Sequence, residues 1–399
     1  MIRDFWVENF FSISKRQEMN FEVRKEEDEW MRVEVSPGVY IGKLAVIYGA
    51  NASGKSNMLK ALQEVFTLLF TSRTDRNQSV SSGEPFALTP DKPTRMYVSF
   101  FANDIRFDYT IVYDKIHIIT ELLEYYPKRS KSLFYERTYN GEDSQATIKF
   151  GPSLGIKAKT LATIIQNTLN NHTVLSTYSK VSLAEDAHPL ATLYNWIKTH
   201  VHGVMKTDTI DLLDQLRSAN ADAKRKKFYI YMLRKADFNI ADFRILTNGV
   251  QETVTFVNST SGDSFELPSA TQSAGTLRYI SNLKFLYDAI SGSHIYMLDE
   301  LGDDLHYDLL LYYVNVFLFN SSASQLIFTS QETALLAESL INEHRHAVWF
   351  AEKSHVTAAS EYMRADQFGL HKNLSLYNAY RIGRLGAKPE LGSPFIAID

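Results

Sequence analysis

Short runs in which hydrophobic and polar residues alternate dominate the first 150 residues. Alternation with a period of two is the pattern of strands that bury one face. The runs that predict strands are residues 2–7, 17–23, 94–102, 104–113 and 115–125. A polar stretch with three prolines, residues 71–93, predicts a surface loop. Residues 1–150 are therefore expected to form a β-rich lobe.

The pattern changes after residue 150, where apolar residues recur at the spacing of a helix. Leu161 and Ile164, and later Ile210, belong to this pattern. It predicts a helical insert over residues 151–235. Strands and helices alternate again after the insert, so residues 236–399 are expected to form a second lobe.

One loop between a predicted strand and a predicted helix has a sequence that indicates a chemical role. Residues 49–56 read G-A-N-A-S-G-K-S, a complete phosphate-binding loop, between an apolar strand-like run and the predicted helix 57–70. Glycines let the backbone approach an anion, and the helix N-terminus adds partial positive charge. Lys55 is expected to reach the β- and γ-phosphates of a nucleotide, and the Ser56 hydroxyl to bind Mg²⁺. The expected nucleotide-binding residues of this loop are Gly49, Asn51, Ser53, Gly54, Lys55, Ser56 and Asn57.

An apolar run that ends in two carboxylates, residues 294–300, has the Walker B arrangement. Asp299 is expected to hold Mg²⁺ through water, and Glu300 to orient and deprotonate the water that attacks the γ-phosphate. Together with Asp303 and Asp304, these carboxylates also allow a two-metal nuclease site. Their spacing after a Walker B strand already has an explanation in nucleotide chemistry, which favours the ATPase hypothesis.

A loop of small residues, 272–276, opens the predicted helix 277–290. The amides and the dipole at the start of a helix suit a second phosphate group. Ser273, Gly275 and Thr276 are therefore expected to contact nucleotide. A simple N-capping serine explains Ser273 equally well, and the order of the three motifs favours the phosphate role.

This order of motifs resembles the ABC-type ATPase heads shared by the SMC and Rad-fifty proteins and the OLD-family nucleases. The resemblance implies an α/β fold in which a β-rich antiparallel lobe lies beside a mainly parallel core sheet with flanking helices, here with the helical insert. It also implies that ATP is sandwiched between two chains, with the signature loop of one closing on the phosphate loop of the other. A homo-oligomer, a dimer or larger, held together by ATP and Mg²⁺ is expected.

Further stretches are similar to small bacterial AAA-type ATPases of anti-phage operons. These operons are of the abortive-infection, PARIS-like or Rlo-like kind and often encode a Toprim-type nuclease beside the ATPase. The resemblance covers nearly the whole chain and is carried by residues 7–12, 85–86, 133–137, 305–306 and 380–389. It implies an ATP-gated sensor or scaffold that controls a separate effector protein, such as a Toprim-type nuclease, in antiviral defence.

Two positions depart from the family pattern. Gln272 stands where a glutamate usually precedes the signature serine, and Gln331 stands in the switch, residues 329–331, where a histidine is usual. Gln331 can donate a hydrogen bond to the γ-phosphate but cannot become cationic. Slow ATP hydrolysis is therefore expected, with Glu300, Lys55 and Gln331 as the catalytic residues.

Composition narrows the remaining classes of function. The 399 residues carry a net charge of −4 and no cysteine, which excludes disulfides, thiolate metal sites and a cysteine nucleophile. No apolar stretch reaches the roughly 18 residues of a membrane span, so a cytoplasmic protein without a membrane partner is expected. The basic run 224–227 is more typical of a helix face exposed to solvent than of a phosphate-binding surface, and contact with DNA stays an alternative.

Two alternatives to the sensor hypothesis differ in what ATP does. In an SMC-like DNA-repair or recombination ATPase, the insert and its basic run grip duplex DNA, and this binding weakens steeply with salt. The low net charge and the absence of long coiled-coil heptads make this the second choice. In a nucleotide-binding module that never hydrolyses, Glu300→Gln leaves behaviour unchanged. Neither the effector, the trigger, the number of copies nor the purine follows from the residues.

Overall fold

The computed structural model describes most of the chain. The described residues are 1–139, 141, 146–182, 187–205, 211–236, 238–248, 251–371 and 374–389. Ile210, which contributed to the helical pattern of the insert, lies outside them.

The strands pair into four sheets. Their bounds are β1 (Ile2–Glu8), β2 (Gln17–Asn20), β3 (Glu22–Val23), β4 (Arg32–Ser36), β5 (Val39–Gly42), β6 (Leu44–Tyr48), β7 (Thr94–Ala102), β8 (Ile105–Tyr113), β9 (Ile118–Tyr126), β10 (Ser132–Thr138), β11 (Thr147–Phe150), β12 (Val201–Met205), β13 (Ile240–Asn248), β14 (Gln251–Ser259), β15 (Ser264–Pro268), β16 (Ile295–Leu298), β17 (Gln325–Thr329), β18 (Val348–Lys353) and β19 (Ser360–Arg364).

The helices lie mainly in the middle and last thirds of the chain. Their bounds are α1 (Lys55–Phe70), α2 (Ala158–Asn167), α3 (His188–His200), α4 (Leu212–Ala221), α5 (Ala223–Lys235), α6 (Ala274–Ser291), α7 (Tyr307–Asn320), α8 (Ser339–Asn342) and α9 (Leu376–Arg381). Among the described residues, no helix combines the length and the apolar character that crossing a bilayer requires.

The largest sheet is antiparallel throughout, with strand order β11-β10-β9-β8-β7-β1-β2. The run 17–23 forms two strands rather than one. β2 pairs with β1, whereas β3 pairs with β5 in a separate three-stranded sheet. The break falls at Phe21, whose N–H donates to the Arg3 carbonyl and whose carbonyl accepts from the Gly42 N–H. The buried Phe21 ring packs on Trp349 in β18.

The core sheet has the order β12-β16-β17-β6-β18-β19, and every neighbouring pair is parallel except β18 with β19. A parallel sheet covered on both faces needs strands that are apolar at every position. β6 meets this requirement, since all five of its residues are buried. Alternate residues of β6 enter two different hydrophobic cores. The predicted α/β class, an antiparallel lobe beside a mainly parallel core sheet, is confirmed.

The two cores lie on opposite faces of the core sheet. One contains the buried face of α1, the antiparallel lobe and α3. The other contains α6, α7, α5 and the buried side of the sheet β13-β14-β15. The described part of segment 151–235 is thus divided between both cores, and it also contributes β12 to the edge of the core sheet. The phosphate-loop strand β6 runs between both cores.

Candidate phosphate-binding site

Residues 49–54 form a tight loop between β6 and α1, and Lys55 and Ser56 lie in the first turn of α1. Gly54 has φ of 103°, in the left-handed region that favours glycine. A Cβ atom on Gly54 would lie 2.3 Å from the Ser360 hydroxyl and 2.8 Å from that of Tyr362. Only glycine therefore fits at this position. Asn51 is exposed at the outer turn of the loop.

Hydroxyl groups from distant parts of the chain hold this loop. The Ser360 Oγ donates to the Ser53 carbonyl at 2.7 Å, and the Tyr362 hydroxyl donates to the Gly54 carbonyl at 2.6 Å. Both donors lie on β19, the last strand of the core sheet. We call Ser12, Ser360 and Tyr362 the loop brace. It fixes the backbone that would face a phosphate.

The start of α1 adds two further contacts. The Asn57 side-chain amide donates to the Ser12 Oγ at 2.8 Å, which links the helix to the β1–β2 connection and completes the loop brace. The Ser53 hydroxyl is buried and has no hydrogen-bond partner among the residues that the structure describes. A buried polar atom without a partner is costly in an otherwise satisfied site, so this hydroxyl fits a loop built to receive a ligand.

Lys55 folds back over the loop. Its Nζ donates to the carbonyls of Gly49 at 2.8 Å and Ala50 at 3.1 Å, and the residue is only 6% exposed. Burial lowers the pKa of Lys55, and the negative charges of Glu300 and Asp299 oppose that shift. The side chain is a buried cation that donates its hydrogen bonds to neutral carbonyl groups. Its ammonium group can exchange these carbonyl acceptors for phosphate oxygens.

The two halves of the site meet at Ser56 and Asp299. The Ser56 Oγ donates to Asp299 Oδ1 at 2.8 Å across 243 positions of sequence. Thr329, at the end of β17, also donates to Asp299 Oδ1, at 2.7 Å. Asp299 is 3% exposed. A hydroxyl and a carboxylate in contact at the edge of a nucleotide loop are the donor types that Mg²⁺ takes.

Glu300 is held in an uncommon backbone conformation, with φ of 57°. Its N–H donates to the Thr329 Oγ1 at 2.7 Å, so a single hydroxyl contacts both the Asp299 carboxylate and the Glu300 backbone. The exposed Gln331 amide donates to Glu300 Oε1 at 3.5 Å. The structure therefore brings together the phosphate loop, Asp299, Glu300 and Gln331.

A third carboxylate adds to the negative charge of this region. Burial, followed by the charge of Glu300, raises the pKa of Asp303. The charge of Asp303 also acts on Lys55, together with those of Asp299 and Glu300. Three carboxylates thus act on one lysine, and a divalent cation would offset their excess.

The signature residues have different neighbours. The Ser273 side chain accepts from the Thr276 N–H at 3.1 Å and caps α6, as the simpler explanation of Ser273 expected. A Cβ atom on Gly275 would lie 2.7 Å from the Asp304 carbonyl oxygen, and the Arg278 guanidinium lies 3.8 Å from the Asp304 carboxylate. Ser273 is exposed, and the signature loop packs against the turn after Walker B.

A cavity of about 630 Å³ adjoins the phosphate loop. Its walls include Asn51 and Gln331 together with Tyr380 and Lys388 of the segment 380–389. That segment carried part of the family resemblance, and the fold brings it to the wall of the cavity beside the phosphate loop.

Sequence reasoning missed part of the site. Ser360 and Tyr362 carry no motif, and they reach the loop only because β19 ends the core sheet. Thr329 lay in the recognised switch, but its bonds to both Walker B residues follow only from the parallel pairing of β16 with β17. Ser12 belongs to residues 7–12, which carry part of the family resemblance, but nothing in that stretch indicated that Ser12 contacts the start of α1.

The chain matches one protein-family model. A family model described as "AAA domain, putative AbiEii toxin, Type IV TA system" matches residues 44–337. A comparison with the curated proteins gives no match.

Among solved structures, the chain is similar to SMC head domains. The SMC head domain from Thermotoga maritima has 13% identity and a TM-score of 0.39, with 91% of this chain and 98% of that chain covered. An SMC head bound to the C-winged helix domain of ScpA has 12% identity and a TM-score of 0.45, with 95% and 99% covered. A third, an SMC head with an extended coiled coil bound to the C-terminal domain of ScpA, derived from Pyrococcus furiosus, has 13% identity and a TM-score of 0.41, with 96% and 98% covered.

The family match extends from β6, through the phosphate loop, the signature and Walker B, to the residues just after the switch. It covers well over half of the 399 residues. The chain therefore belongs to this AAA-domain family, and residues 44–337 carry its nucleotide-binding ATPase fold.

Proposed function

We propose that this protein binds ATP with Mg²⁺ and hydrolyses it slowly. The observation that carries the proposal is the hydrogen bond between Ser56 Oγ and Asp299 Oδ1, because it joins the Walker A hydroxyl to the Walker B carboxylate. Ser56 would bind Mg²⁺ directly and Asp299 through water. When bound, the ion offsets negative charge on the transferring phosphoryl group. Lys55 would exchange its loop carbonyls for the β- and γ-phosphates.

The remaining groups have roles in hydrolysis. Glu300, oriented through Thr329, would accept the proton of the attacking water. Gln331 would donate to the γ-phosphate but adds no positive charge, so the transition state is less stabilised than with a cationic residue. Steady-state phosphate release by the purified protein tests this. Turnover well above about 10 per second, near the median for enzymes, would contradict slow hydrolysis.

We further propose that ATP joins two or more copies of the chain. Gly275 packs against Asp304 within its own protomer, and Ser273 is exposed. This geometry supports a signature surface that caps the phosphate loop of a neighbour. In functional terms, residues 1–150 would supply the phosphate loop, 151–235 an insert, and 236–399 the signature, Walker B and switch.

The ATP-bound assembly would act as a sensor or scaffold in the cytoplasm that restrains or releases a separate effector in anti-phage defence. A Toprim-type nuclease is the partner that the family resemblance favours. The family description itself refers to a toxin and a toxin–antitoxin system, which supports control of a toxic activity. Purification of the native complex with and without ATP, followed by identification of the partner and of the neighbouring gene, tests this. A chain that copurifies with no effector in either state would contradict the proposal.

The SMC-like alternative requires a basic surface on the insert. Arg225 forms an ion pair with Asp288 at 2.6 Å, and Lys226 forms one with Asp242 at 3.2 Å. Only the flanking lysines of the run are exposed. Two of the four cations are thus engaged within the protein, which supports the solvated helix face. Measurement of duplex DNA affinity against salt, with Lys224→Glu plus Lys227→Glu as the variant, separates the two hypotheses.

A further inference from the structure

Two histidines and a glutamate meet at the start of β18, on an element that the nucleotide chemistry does not use. His344 directly precedes the short helical turn Arg345–Ala347 before β18, and His346 lies within that turn. Glu27 lies in the connection between β3 and β4. His344 is 5% exposed, and the His346 side chain is 13% exposed. We call Glu27, His344 and His346 the histidine cluster.

The donor atoms of the cluster converge. The Glu27 carboxylate lies between the rings, with Oε1 in contact with His344 Nδ1 and Oε2 3.3 Å from His346 Nδ1. One potential ligand atom from each residue lies within 4.8 Å of the other two. The two rings stand nearly perpendicular, at 80°, with centroids 5.9 Å apart. Two ligands about 2.0–2.1 Å from a tetrahedral ion lie roughly 3.3 Å apart, so the cluster is close to ligation geometry.

We propose that the histidine cluster binds one first-row divalent metal ion, with Zn²⁺ as the best fit. Two imidazole nitrogens and one carboxylate oxygen form a donor set that Zn²⁺ accepts, and tetrahedral coordination leaves a fourth position for water. Hard cations such as Mg²⁺ and Ca²⁺ prefer all-oxygen sites. The cluster therefore differs in chemistry from the Ser56 and Asp299 pair, and the proposal does not depend on the proposed nucleotide function.

An outer carboxylate supports metal ligation. Asp28 Oδ2 lies 3.4 Å from the Nε2 of His344, the ring nitrogen that faces away from Glu27. Ligating histidines usually donate their second ring N–H to a carboxylate, which fixes the tautomer and the ring orientation. With Nε2–H directed to Asp28, a metal ion that displaces the proton between His344 Nδ1 and Glu27 would meet the Nδ1 lone pair.

A path from solvent reaches the cluster. Glu27 and His346 form part of the wall of a groove of about 800 Å³, which also includes Glu343 and Asp366. An ion can therefore enter and keep a water ligand. The ring of Trp30 lies edge-on to His344, with centroids 4.8 Å apart, and closes the other side.

Metal at this point would fasten the turn that carries Glu27 to the beginning of β18. That strand pairs in parallel with β6, directly before the phosphate loop, and its partner β19 carries Ser360 and Tyr362 of the loop brace. The expected effect is structural: a raised unfolding temperature rather than a change in chemistry at Glu300.

The test is equilibrium dialysis of the full chain against Zn²⁺ in excess Mg²⁺, with bound metal counted by plasma mass spectrometry. We expect one equivalent per chain and an unfolding midpoint several degrees higher than in the presence of chelator. Co²⁺ in place of Zn²⁺ should give the visible absorption of a four-coordinate site and quench Trp30, which a Trp30→Phe variant would verify. His344→Gln and His346→Gln should each weaken binding at least about 100-fold, and Asp28→Asn about 10- to 100-fold.

His117→Gln is the matched control, because His117 Nδ1 lies 3.4 Å from Asp114 Oδ2 and this pair forms no part of the cluster. It should leave metal binding unchanged. Glu27→Gln offers a second route if the histidine variants do not fold, as judged by circular dichroism, since it keeps a polar group of the same shape while removing the anionic ligand. Wild-type protein that retains no metal, or folded cluster variants that bind it as the wild type does, would overturn the proposal and leave a His344–Glu27 ion pair.

Discussion

The phosphate loop and the signature loop belong to one proposed nucleotide site, yet they differ in the contacts that hold them in place. The phosphate loop is held by Ser360, Tyr362 and Ser12, and its neighbours Asp299 and Glu300 are fixed by Thr329. The signature loop begins α6 with an exposed Ser273, and its Gly275 lies against the turn that contains Asp304.

This difference supports the proposal that one chain builds half of a site. The backbone of the phosphate-loop half is held before any ligand binds, because Ser360 and Tyr362 donate hydrogen bonds to its carbonyl groups. The signature half presents the capped start of α6, where Ser273 is exposed. If a neighbour completes the site, changes in the first half should alter nucleotide binding or turnover, and changes in the second should alter assembly alone.

The largest expected effect is on hydrolysis. Glu300→Gln removes the proposed general base and should lower steady-state ATP turnover about 100- to 10,000-fold, while ATP remains bound and the assembly stays closed. Phosphate release and retained nucleotide after gel filtration measure both. Glu361→Gln, an exposed position on β19, makes the same chemical change as a control. Unchanged turnover in Glu300→Gln would favour the module that never hydrolyses.

Lys55→Ala should weaken ATP binding about 30-fold or more, because loss of a buried charged hydrogen bond costs roughly 2–5 kcal/mol. Assembly in ATP should be lost with it. Titration with a fluorescent ATP analogue and analytical ultracentrifugation provide the two readouts. Lys60→Ala removes the same charge from an exposed position on α1 and should bind ATP normally. ATP affinity that survives in Lys55→Ala would exclude the phosphate loop as the binding site.

Ser273→Arg should separate the two halves. The exposed arginine would block a neighbour's approach, so ATP-dependent assembly should weaken at least about tenfold, while each protomer binds ATP as the wild type does. Light scattering in the Glu300→Gln background isolates assembly from turnover. The control Ser291→Arg places the same side chain at the other, exposed end of α6. Assembly that is equal in both variants would contradict a role for the signature loop between protomers.

The smallest effect concerns the loop brace. Tyr362→Phe removes one hydrogen bond to the Gly54 carbonyl and should cost about 0.5–1.5 kcal/mol, a loss of up to roughly tenfold in ATP affinity. Isothermal titration of the two proteins measures it. Tyr231→Phe, at an exposed tyrosine, serves as the control. If affinity is unchanged, the loop keeps its shape without the brace.

Local pattern predicted the elements next to the nucleotide site well. Five consecutive apolar residues gave β6, and the glycine-rich loop with the helix after it followed, although α1 begins at Lys55 rather than at residue 57. The strand 94–102 coincides with β7, in which buried and less buried residues alternate from Thr94 to Val98 before a run that is buried on both faces. These features depend on residues close together in the sequence, and the periodicity of hydrophobic residues can predict such local structure.

Features that depend on contacts between distant parts of the chain could not be predicted from the sequence pattern. The run 17–23 keeps its alternation through Phe21, yet the chain changes sheets there because the Phe21 backbone pairs with both Arg3 and Gly42. β12 lies within a helical pattern and is a strand only because β16 offers it an edge. Likewise, the histidine cluster joins residues more than 300 positions apart.

The loop brace has a consequence for ionic strength. Its donors are hydroxyl and amide groups and its acceptors are a hydroxyl and peptide carbonyls, and burial raises the pKa of Tyr362 so that this donor keeps its proton. Dissolved ions screen interactions between charges over a Debye length of about 8–10 Å. They have little effect on the strength of hydrogen bonds between neutral groups. Salt should therefore leave the shape of the loop unchanged, and a salt-sensitive loss of assembly would locate the responsible charges at the contact between protomers.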